Sequence, residues 1–227
     1  MENERFIDRN IAELAKEESL IFGANINLAR ITPSLADGLK VVARRLLYIM
    51  YLKGDRKVPQ KVNTISGNVI GTLHAHGPTS VTDALVNLAQ PWNNMIPLIN
   101  VDGNCGTIAG DPAGADRYIR ASLSDYAYSC FFDDWKEASV DMVMGADGVT
   151  KEPLYLPAKY PNVLLNGLLG IGYAQSSNIP CYCFKEIIDT TITLMKNPNA
   201  DFLLIPDSPT GCDIVAGNFK KICETGN

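Results

Sequence analysis

The sequence predicts an α+β fold, with helices in the first half of the chain and more strands and loops in the second half. Apolar residues recur at helical spacing through residues 4–22 and 39–50. Residues 97–120 are rich in Gly, Asn and Asp at turn positions, and residues 153–180 are apolar, glycine-rich and bounded by proline. The 227 residues are 46% hydrophobic, so the chain can bury a sizeable core.

The first two helices are indicated by their apolar stripes. Residues 4–22 predict an N-terminal helix, which "ITPSLADG" then interrupts with proline, serine and glycine. In the next helix Lys40 and Arg44 share a face because they lie four positions apart, and Arg45 lies beside them. The apolar positions of that second helix are Leu39, Val42, Leu46, Leu47 and Met50.

Two shorter helices joined by a tight turn are expected next, over about 64–74 and 79–88. Thr79 is the expected N-cap of the second one, since its hydroxyl can accept a hydrogen bond from the first turn, and Asp83 lies one turn later. A helix–turn–helix of this size has the shape of a major-groove reader, although many helical hairpins bind nothing. The turn residues within 97–120 are then typical of a β-ribbon, or wing.

The second half changes character near residue 153, where we place a soft boundary within 150–160. The stretch "PLYLPAKYPNVLLNGLLGIGYAQSSNIP" favours strands and loops over helices. An amphipathic helix follows in "FKEIIDTTITLMKN", and a short strand is expected in "FLLIPD".

Composition and charge exclude several classes of protein. No run of about 18 apolar residues occurs, so we expect no membrane span, and the N-terminal stretch lacks the apolar segment of a signal peptide. The six cysteines show no CxxC spacing, which favours reduced thiols over a zinc site. The net charge is −5, yet residues 30–61 alone carry a local charge of +6. That block is either a polyanion-binding face or a solvated helix face.

Arg117 and Tyr118 follow a run of small residues in "GDPAGADRYIR". A tyrosine can act as a nucleophile, but its free pKa of about 10 leaves little phenolate at neutral pH. A neighbouring cation favours the charged form, and a guanidinium matches phosphate oxygens. The pair can therefore attack and hold a phosphodiester, although an Arg-Tyr dipeptide is common without any such role.

Two further motifs leave alternatives open. His74 and His76, in "HAHG", can contact phosphate or move a proton, can form part of a metal site that lacks a third ligand, or can simply end a helix. Ile171, between two glycines, is either an exposed wedge that enters a DNA base step or an ordinary core residue. No phosphate-binding glycine loop of the GxxxxGK[ST] type occurs, so an ATP site is not expected.

Taken in order, these motifs resemble one known family. The stretches "RITPSLADGLKVVARRLLYIM", "GNVIGTLHAHGPTSVTDALVNLAQPW", "DGNCGTIAGDPAGADRYIRASL", "YPNVLLNGLLGIGYAQSSNIP" and "LLIPDSPTGC" occur in the family's order across about residues 20–217. They are similar to motifs of the breakage-reunion subunit of type IIA DNA topoisomerases, the family that includes the A subunits of DNA gyrase and of topoisomerase IV. The resemblance covers nearly the whole chain.

The resemblance implies a role for each matched residue. Tyr118 would attack a DNA phosphodiester and become linked to the 5′ phosphate, with Arg117 as its catalytic partner, and Ile171 would intercalate and bend the DNA. Thr79 and Asp83 would anchor fluoroquinolones through a water–metal bridge. The residues expected to line the cleaved strand are Arg30, Lys40, Arg44, Arg45, His74 and His76.

The resemblance also implies an architecture and partners. It divides the chain into an N-terminal helical arm (1–29), a CAP-like winged-helix DNA-gate domain (30–155) and the start of a tower-like α/β domain (156–227). Mg²⁺ and ATP would both be bound by an ATPase/Toprim partner subunit, with no metal site on this chain. Two copies of the chain would form the homodimer within a heterotetramer on double-stranded DNA, associated with the nucleoid in the cytoplasm, or in the host cytoplasm for a viral protein.

The sequence also departs from the family pattern. Ala43 replaces a histidine, Pro78 replaces an acidic residue, Cys105 replaces a phenylalanine, and Cys181 and Cys183 lie near an altered "PPHN" motif. The chain is then a fragment or a naturally short version, of cellular, phage or other mobile-element origin. A non-catalytic module that binds or bends DNA remains the alternative to the enzyme, and an unrelated winged-helix regulator is a more distant one.

Overall fold

The computed structural model describes residues 9–28, 32–56, 58–213 and 217–226. It confirms a mixed α+β fold with small antiparallel sheets. Among these residues the helices are α1 (Ile11–Ile26), α2 (Val41–Lys53), α3 (Val62–Thr72), α4 (Pro78–Ala89), α5 (Asp125–Phe131), α6 (Asn162–Asn166), α7 (Phe184–Lys196) and α8 (Phe219–Thr225), and a 3₁₀ turn lies at Glu137–Ser139. The strands are β1 (Gln60–Lys61), β2 (Ile99–Asp102), β3 (Arg120–Leu123), β4 (Met142–Met144), β5 (Lys151–Pro153), β6 (Leu168–Ile171), β7 (Ser176–Ile179), β8 (Cys181–Tyr182) and β9 (Pro206–Asp207).

Helix α1 confirms the predicted N-terminal helix from Ile11 onward, whereas Arg9 and Asn10 precede it. The predicted residues 4–8 lie outside the described residues. Asn10 caps the helix by accepting a hydrogen bond from the Ala12 N–H. The helix continues past residue 22 to Ile26, and within this extension Gly23 packs against the ring of Tyr173, where any Cβ would collide with the ring. α1 is therefore held against a distant part of the chain.

The predicted helix–turn–helix is present as α3 and α4, but Thr79 is not the N-cap of α4. The N-cap is Gly77, no side chain caps the helix, and Pro78 occupies its first turn. Proline favours this position because its fixed φ suits the helix and it lacks the N–H that would be unsatisfied there. Thr79 accordingly lies inside the first turn of α4.

The predicted ribbon is present as β2 and β3 of a three-stranded antiparallel sheet in the order β1-β3-β2, with β3 in the middle. Val101 pairs with Ala121, and on the other side of β3 Gln60 pairs with the same alanine. β3 begins only at Arg120, the last residue of the stretch in which the ribbon was expected. The loop between β2 and β3 thus carries the Arg117–Tyr118 pair directly into the sheet.

In the second half, β4 pairs with β5, β6 with β7 and β8 with β9, each as an antiparallel pair. The amphipathic helix is confirmed as α7. The strand predicted in "FLLIPD" is wrong for residues 202–205, since only β9 at its end is a strand. There the N–H of Leu204 donates to the Sγ of Cys223 at 3.4 Å, so a side chain in α8 replaces a neighbouring strand.

Two hydrophobic clusters hold the described residues together. The larger one joins α2, α3, α4, α5, β2 and β3, and the smaller one centres on Leu165, Tyr182, Ile187 and Leu204. Tyr126 packs against both clusters. Among the described helices, none combines the length and apolar character needed to cross a membrane.

Asp37 connects the start of α2 to the region after residue 155. Its buried carboxylate accepts hydrogen bonds from the Leu39 N–H, from the Arg44 guanidinium and from the Leu156 N–H. Its backbone carbonyl accepts from the Asn162 side-chain amide at 3.1 Å. Contacts therefore cross the predicted domain boundary at residue 155, which itself stays a prediction.

Candidate nucleic-acid interface

Tyr118 lies on the surface at the end of the β2–β3 loop. Its side chain is 74% exposed, whereas the next residue, Ile119, is 1% exposed and anchors the chain in the larger cluster. The strand alternation that begins at Ile119 keeps Ala121 and Leu123 buried as well. The local sequence therefore forces the phenol outward.

Two backbone hydrogen bonds fix this segment to the start of α3. The Val62 N–H donates to the Ile119 carbonyl at 3.0 Å, and the Asn63 N–H donates to the Asp116 carbonyl at 3.4 Å. The first N–H groups of a helix have no partner within the helix, so the tyrosine segment satisfies them. The exposed phenol thus stands on a rigid support.

Arg117 stacks on its neighbour rather than projecting away from it. Its guanidinium carbon lies 4.8 Å from the centroid of the Tyr118 ring, within the range of a cation–π contact. Both side chains are exposed, so a phosphate that approaches the phenol meets the guanidinium at the same place. The structure thus brings together the two residues that the sequence predicts as the catalytic pair.

The small residues before Arg117 serve the loop's own backbone. Gly106 has a φ of +91°, and a Cβ there would collide with the Asp111 carbonyl. The side-chain amide of Gln90, just after α4, donates to the Cys105 carbonyl at 2.7 Å. The glycine is therefore required by the turn, and Gln90 ties the loop to the end of α4.

Arg45 and the two histidines form one cluster on the adjacent side of α3. The Arg45 guanidinium forms a bidentate ion pair with Glu152 of β5, with both N–O distances at 2.6 Å. Its Nη1 lies 2.9 Å from Nδ1 of His74, whose ring stacks on His76 at a centroid distance of 4.3 Å. The structure thus brings together Arg45, His74 and His76, three of the residues predicted to line the cleaved DNA strand. That role itself stays a prediction.

Ile171 lies at the tip of the β6–β7 hairpin and is 82% exposed. The turn that follows it is held to α1, because Asn27 and Tyr173 exchange two hydrogen bonds, at 3.1 and 2.9 Å. Lys40 joins the same hairpin by donating from Nζ to the Leu169 carbonyl at 2.8 Å, and burial lowers the pKa of this lysine. The exposed position suits a wedge and does not suit the alternative of a core residue.

Arg44 occupies a different environment from the other predicted DNA contacts. Its guanidinium is buried and ion-paired with Asp37, and it also donates to the Leu39 carbonyl. It lacks the exposure that a phosphate contact requires, because α2 turns this face toward the interior. The structure thus supports a structural role for Arg44 in place of the predicted contact.

The remaining predicted positions divide into two groups. Thr79 and Asp83 are both exposed on α4, one turn apart, and their role as a drug anchor stays a prediction. Arg30 lies outside the described residues. Among the described side chains, no three His, Cys, Asp or Glu residues converge in a way that could hold a metal ion.

Sequence reasoning missed Glu152 and Gln90. Glu152 stands between a lysine and a proline in a short strand, and nothing in that pattern distinguishes it from a solvated glutamate. Gln90 follows an apolar helix directly before Pro91, which marks a helix end but not a hydrogen bond to the next loop. Both partners are distant in sequence, so only the tertiary structure reveals the contacts.

Comparison with known proteins agrees with this arrangement. The family model for the A subunit of DNA gyrase/topoisomerase IV matches residues 30–227. The DNA gyrase A subunit of Thermotoga maritima is 38% identical over 98% of this chain and 29% of the relative, and the chloroplastic/mitochondrial gyrase A subunit of Nicotiana benthamiana is 37% identical over 95% and 24%. The DNA topoisomerase 4 A subunit of Streptococcus pyogenes is 39% identical over 87% of this chain and 25% of the relative.

The chain spans about a quarter of the length of the curated relatives it matches. The region matched by the family model includes the Arg117–Tyr118 pair and the cluster of Arg45, His74 and His76. The chain belongs to the family of the DNA gyrase and topoisomerase IV A subunits.

Proposed function

We propose that this chain is the DNA-cleaving and religating part of a type IIA topoisomerase. The observation that carries the proposal is the exposed Tyr118 beneath the Arg117 guanidinium, on a loop fixed to the start of α3. Membership of a family whose relatives are named DNA gyrase and DNA topoisomerase 4 subunits supports it.

The proposed reaction is a transesterification. The Tyr118 oxygen attacks a backbone phosphorus and loses its proton, a bond forms between that oxygen and the 5′ phosphate, and the bond to the 3′ oxygen breaks. The 3′ oxygen leaves as a hydroxyl once it has taken up a proton. Because one phosphodiester replaces another, the reverse step reseals the strand without an energy source for the chemistry itself.

The Arg117 guanidinium would act on the phosphate during the attack. A guanidinium donates to two phosphate oxygens at once and stabilises negative charge that develops between the nucleophile and the leaving group. Its place over the Tyr118 ring keeps it close to the attacking group in every turnover. Arg117 therefore both holds the target phosphate and offsets its charge.

The DNA-facing surface would extend from Tyr118 to the β6–β7 hairpin. Ile171 at the hairpin tip suits insertion between base pairs, which unstacks a step and bends the duplex. Lys40, which bonds to that hairpin, and the Arg45–His76 cluster would supply phosphate contacts. The helices α3 and α4 with the adjacent sheet would serve as the CAP-like winged-helix unit of this DNA gate.

The cofactors and the remaining subunits belong to the same proposal. An ATPase/Toprim partner would supply the Mg²⁺ and ATP sites, and we assign no step to a metal held by this chain. Two copies of the chain would provide the two tyrosines that a double-strand break requires. The assembly would act on double-stranded DNA in the cytoplasm.

The test is a cleavage assay on supercoiled plasmid with Mg²⁺, the partner subunit and a detergent quench. We expect protein-linked linear DNA with the wild-type chain and none with Tyr118→Phe, because the variant lacks the attacking oxygen. Tyr155→Phe, at a half-buried tyrosine outside the β2–β3 loop, is the matched control and should cleave like the wild type.

Undiminished cleavage by Tyr118→Phe would overturn the assignment of the nucleophile. DNA that the wild type binds and bends but never cleaves would favour the alternative, a non-catalytic bending module.

A further inference from the structure

We propose that Glu152 is a positioning residue of the DNA-facing surface. Through Arg45 it holds His74 in the tautomer with its proton on Nε2, opposite to that of His76, whose proton lies on Nδ1. The proposal rests on the proposed function only where it takes Arg45 and His76 to meet DNA.

The ion pair between Arg45 and Glu152 fixes the orientation of the Arg45 guanidinium. The Glu152 side chain is 8% exposed and the Arg45 side chain 22%, so solvent competes little for either group. Nε of Arg45 donates to one carboxylate oxygen and Nη2 donates to the other, each at 2.6 Å. Two parallel bonds fix the guanidinium plane, because rotating it would break both at once.

The fixed guanidinium sets the tautomer of His74. Arginine carries only donors, so the contact of 2.9 Å between Arg45 Nη1 and His74 Nδ1 requires an unprotonated Nδ1. The ring proton of a neutral His74 then lies on Nε2. A proton on Nδ1 would place two donors against each other and add a positive charge beside the guanidinium.

His76 requires the opposite arrangement. Its Nδ1 lies 2.8 Å from the carbonyl oxygen of Ala75, and a carbonyl can only accept, so this Nδ1 carries a proton. The ring of His76 stacks on that of His74 and is exposed, while His74 is 7% exposed. The contacts therefore run from the buried Glu152 through Arg45 and the buried His74 to the exposed His76.

Glu152 on β5 thus orients residues of the DNA-facing surface without itself being exposed there. Glu152 orients Arg45, Arg45 selects the His74 tautomer, and the oriented His74 ring supports the exposed His76 ring. Loss of the carboxylate frees the guanidinium to rotate. The His74 ring can then exchange between tautomers, and the stack above it loosens.

The first test is ¹⁵N NMR of the histidine rings in the wild-type chain at about pH 8, above the ordinary histidine pKa near 6.5. The chain contains only two histidines, and His76→Gln assigns them. We expect one ring protonated on Nε2 only (His74) and one protonated on Nδ1 (His76). Two rings with the same tautomer, or a His74 in exchange between both, would overturn the proposal without any variant of Glu152.

The second test compares Glu152→Gln with Asp125→Asn. Asp125 forms an exposed ion pair with Arg56 at 2.9 Å, so its variant also removes one negative charge beside an arginine. Long-range attraction alone would make both variants bind DNA slightly more tightly.

We expect Glu152→Gln instead to bind a short duplex about tenfold more weakly and to show mixed His74 tautomers, because an oriented charged hydrogen bond is lost. Asp125→Asn should bind the duplex slightly more tightly than the wild type and keep the two tautomers. Unchanged His74 tautomers in Glu152→Gln would contradict the positioning role. Failure of the proposed function is separate, since it appears as cleavage by Tyr118→Phe with both tautomers intact.

Discussion

Tyr118 and Tyr126 lie close together in the sequence, but one is exposed to solvent and the other is packed among aromatic rings. Tyr118 projects into solvent from the end of a loop, whereas Tyr126 on α5 is enclosed between the rings of Tyr160 and Phe184. Burial raises the pKa of the Tyr126 phenol, and the neighbouring Cys130 raises it further. One tyrosine is therefore placed to react, and the other to keep its proton.

The buried phenol predicts a loss of stability at alkaline pH. Above its ordinary pKa of about 10, Tyr126 is deprotonated in the unfolded chain but still protonated in the folded one. The unfolded state then binds fewer protons, so the free energy of unfolding falls as pH rises, by about 1.4 kcal/mol per pH unit from this group. Below that pH the contribution is constant.

Tyr126→Phe should therefore show a shallower alkaline decline than the wild type in urea unfolding at pH values from about 9 to 11. The variant keeps the ring contacts and removes the titrating group. Parallel declines in the two proteins would contradict the assignment.

The sequence makes the proposed catalytic pair easier to recognise than the residues that support it. Arg117 and Tyr118 are recognisable because they are adjacent and occur in a motif of known order. Glu152 and Gln90 are not, since each acts on a partner far along the chain. Arg44 misled the prediction because its helical spacing from Lys40 gives a shared face but does not show which part of that face is buried.

At the scale of elements, the start of α2 depends on a glycine that no other residue can replace easily. Gly38 has a φ of +67°, and a Cβ there would collide with the backbone of Val163. Its N–H also donates to the Ser34 carbonyl at 2.7 Å. The turn and the close approach of α6 thus both require a residue without a side chain at this position.

Gly38→Ala should be strongly destabilising, and Gly148→Ala provides the matched control. Gly148 has nearly the same φ, +68°, but open space around it. The control should lose about 1–2 kcal/mol from the left-handed backbone alone, and Gly38→Ala should lose about 1–3 kcal/mol more from overpacking. The measurement is the free energy of unfolding in urea. Equal losses would show that Val163 moves away from the added methyl group without a cost in stability.

Element types were more predictable than element boundaries. The apolar stripes of α2 and α7 set their periodicity directly. The start of α4 was misplaced because a threonine was preferred as a cap over the Gly77–Pro78 pair. The strand expected at residues 202–205 is absent because the Sγ of Cys223 bonds to that backbone instead.

At the scale of the whole molecule, the region after residue 155 supplies hydrogen bonds and buried contacts to the part before it. Lys40 bonds to Leu169, Asn27 to Tyr173, and the Ile96 backbone exchanges two hydrogen bonds with the side chain of Asn166. Leu156 is fully buried in the larger cluster. A division of the sequence by composition does not reveal this dependence.

A fragment of residues 1–155 should therefore fold less stably than a fragment of residues 1–183. The shorter one leaves the Asp37 carboxylate without the Leu156 N–H and exposes the site that Leu156 fills. The longer one keeps these contacts and lacks α7. Amide hydrogen exchange in α2 and α3 measures the difference, with faster exchange expected in the shorter fragment; equal protection would show that the first 155 residues form an independent unit.

The Asp37 carboxylate also imposes a delay during synthesis. Its partner at Leu156 lies 119 positions further along the chain, which a ribosome reaches on the order of ten seconds later. Throughout that interval the beginning of α2 has its acidic and basic groups in place but not the backbone that surrounds them. Until then the segment made first lacks the hydrogen bond and the buried contacts that Leu156 supplies.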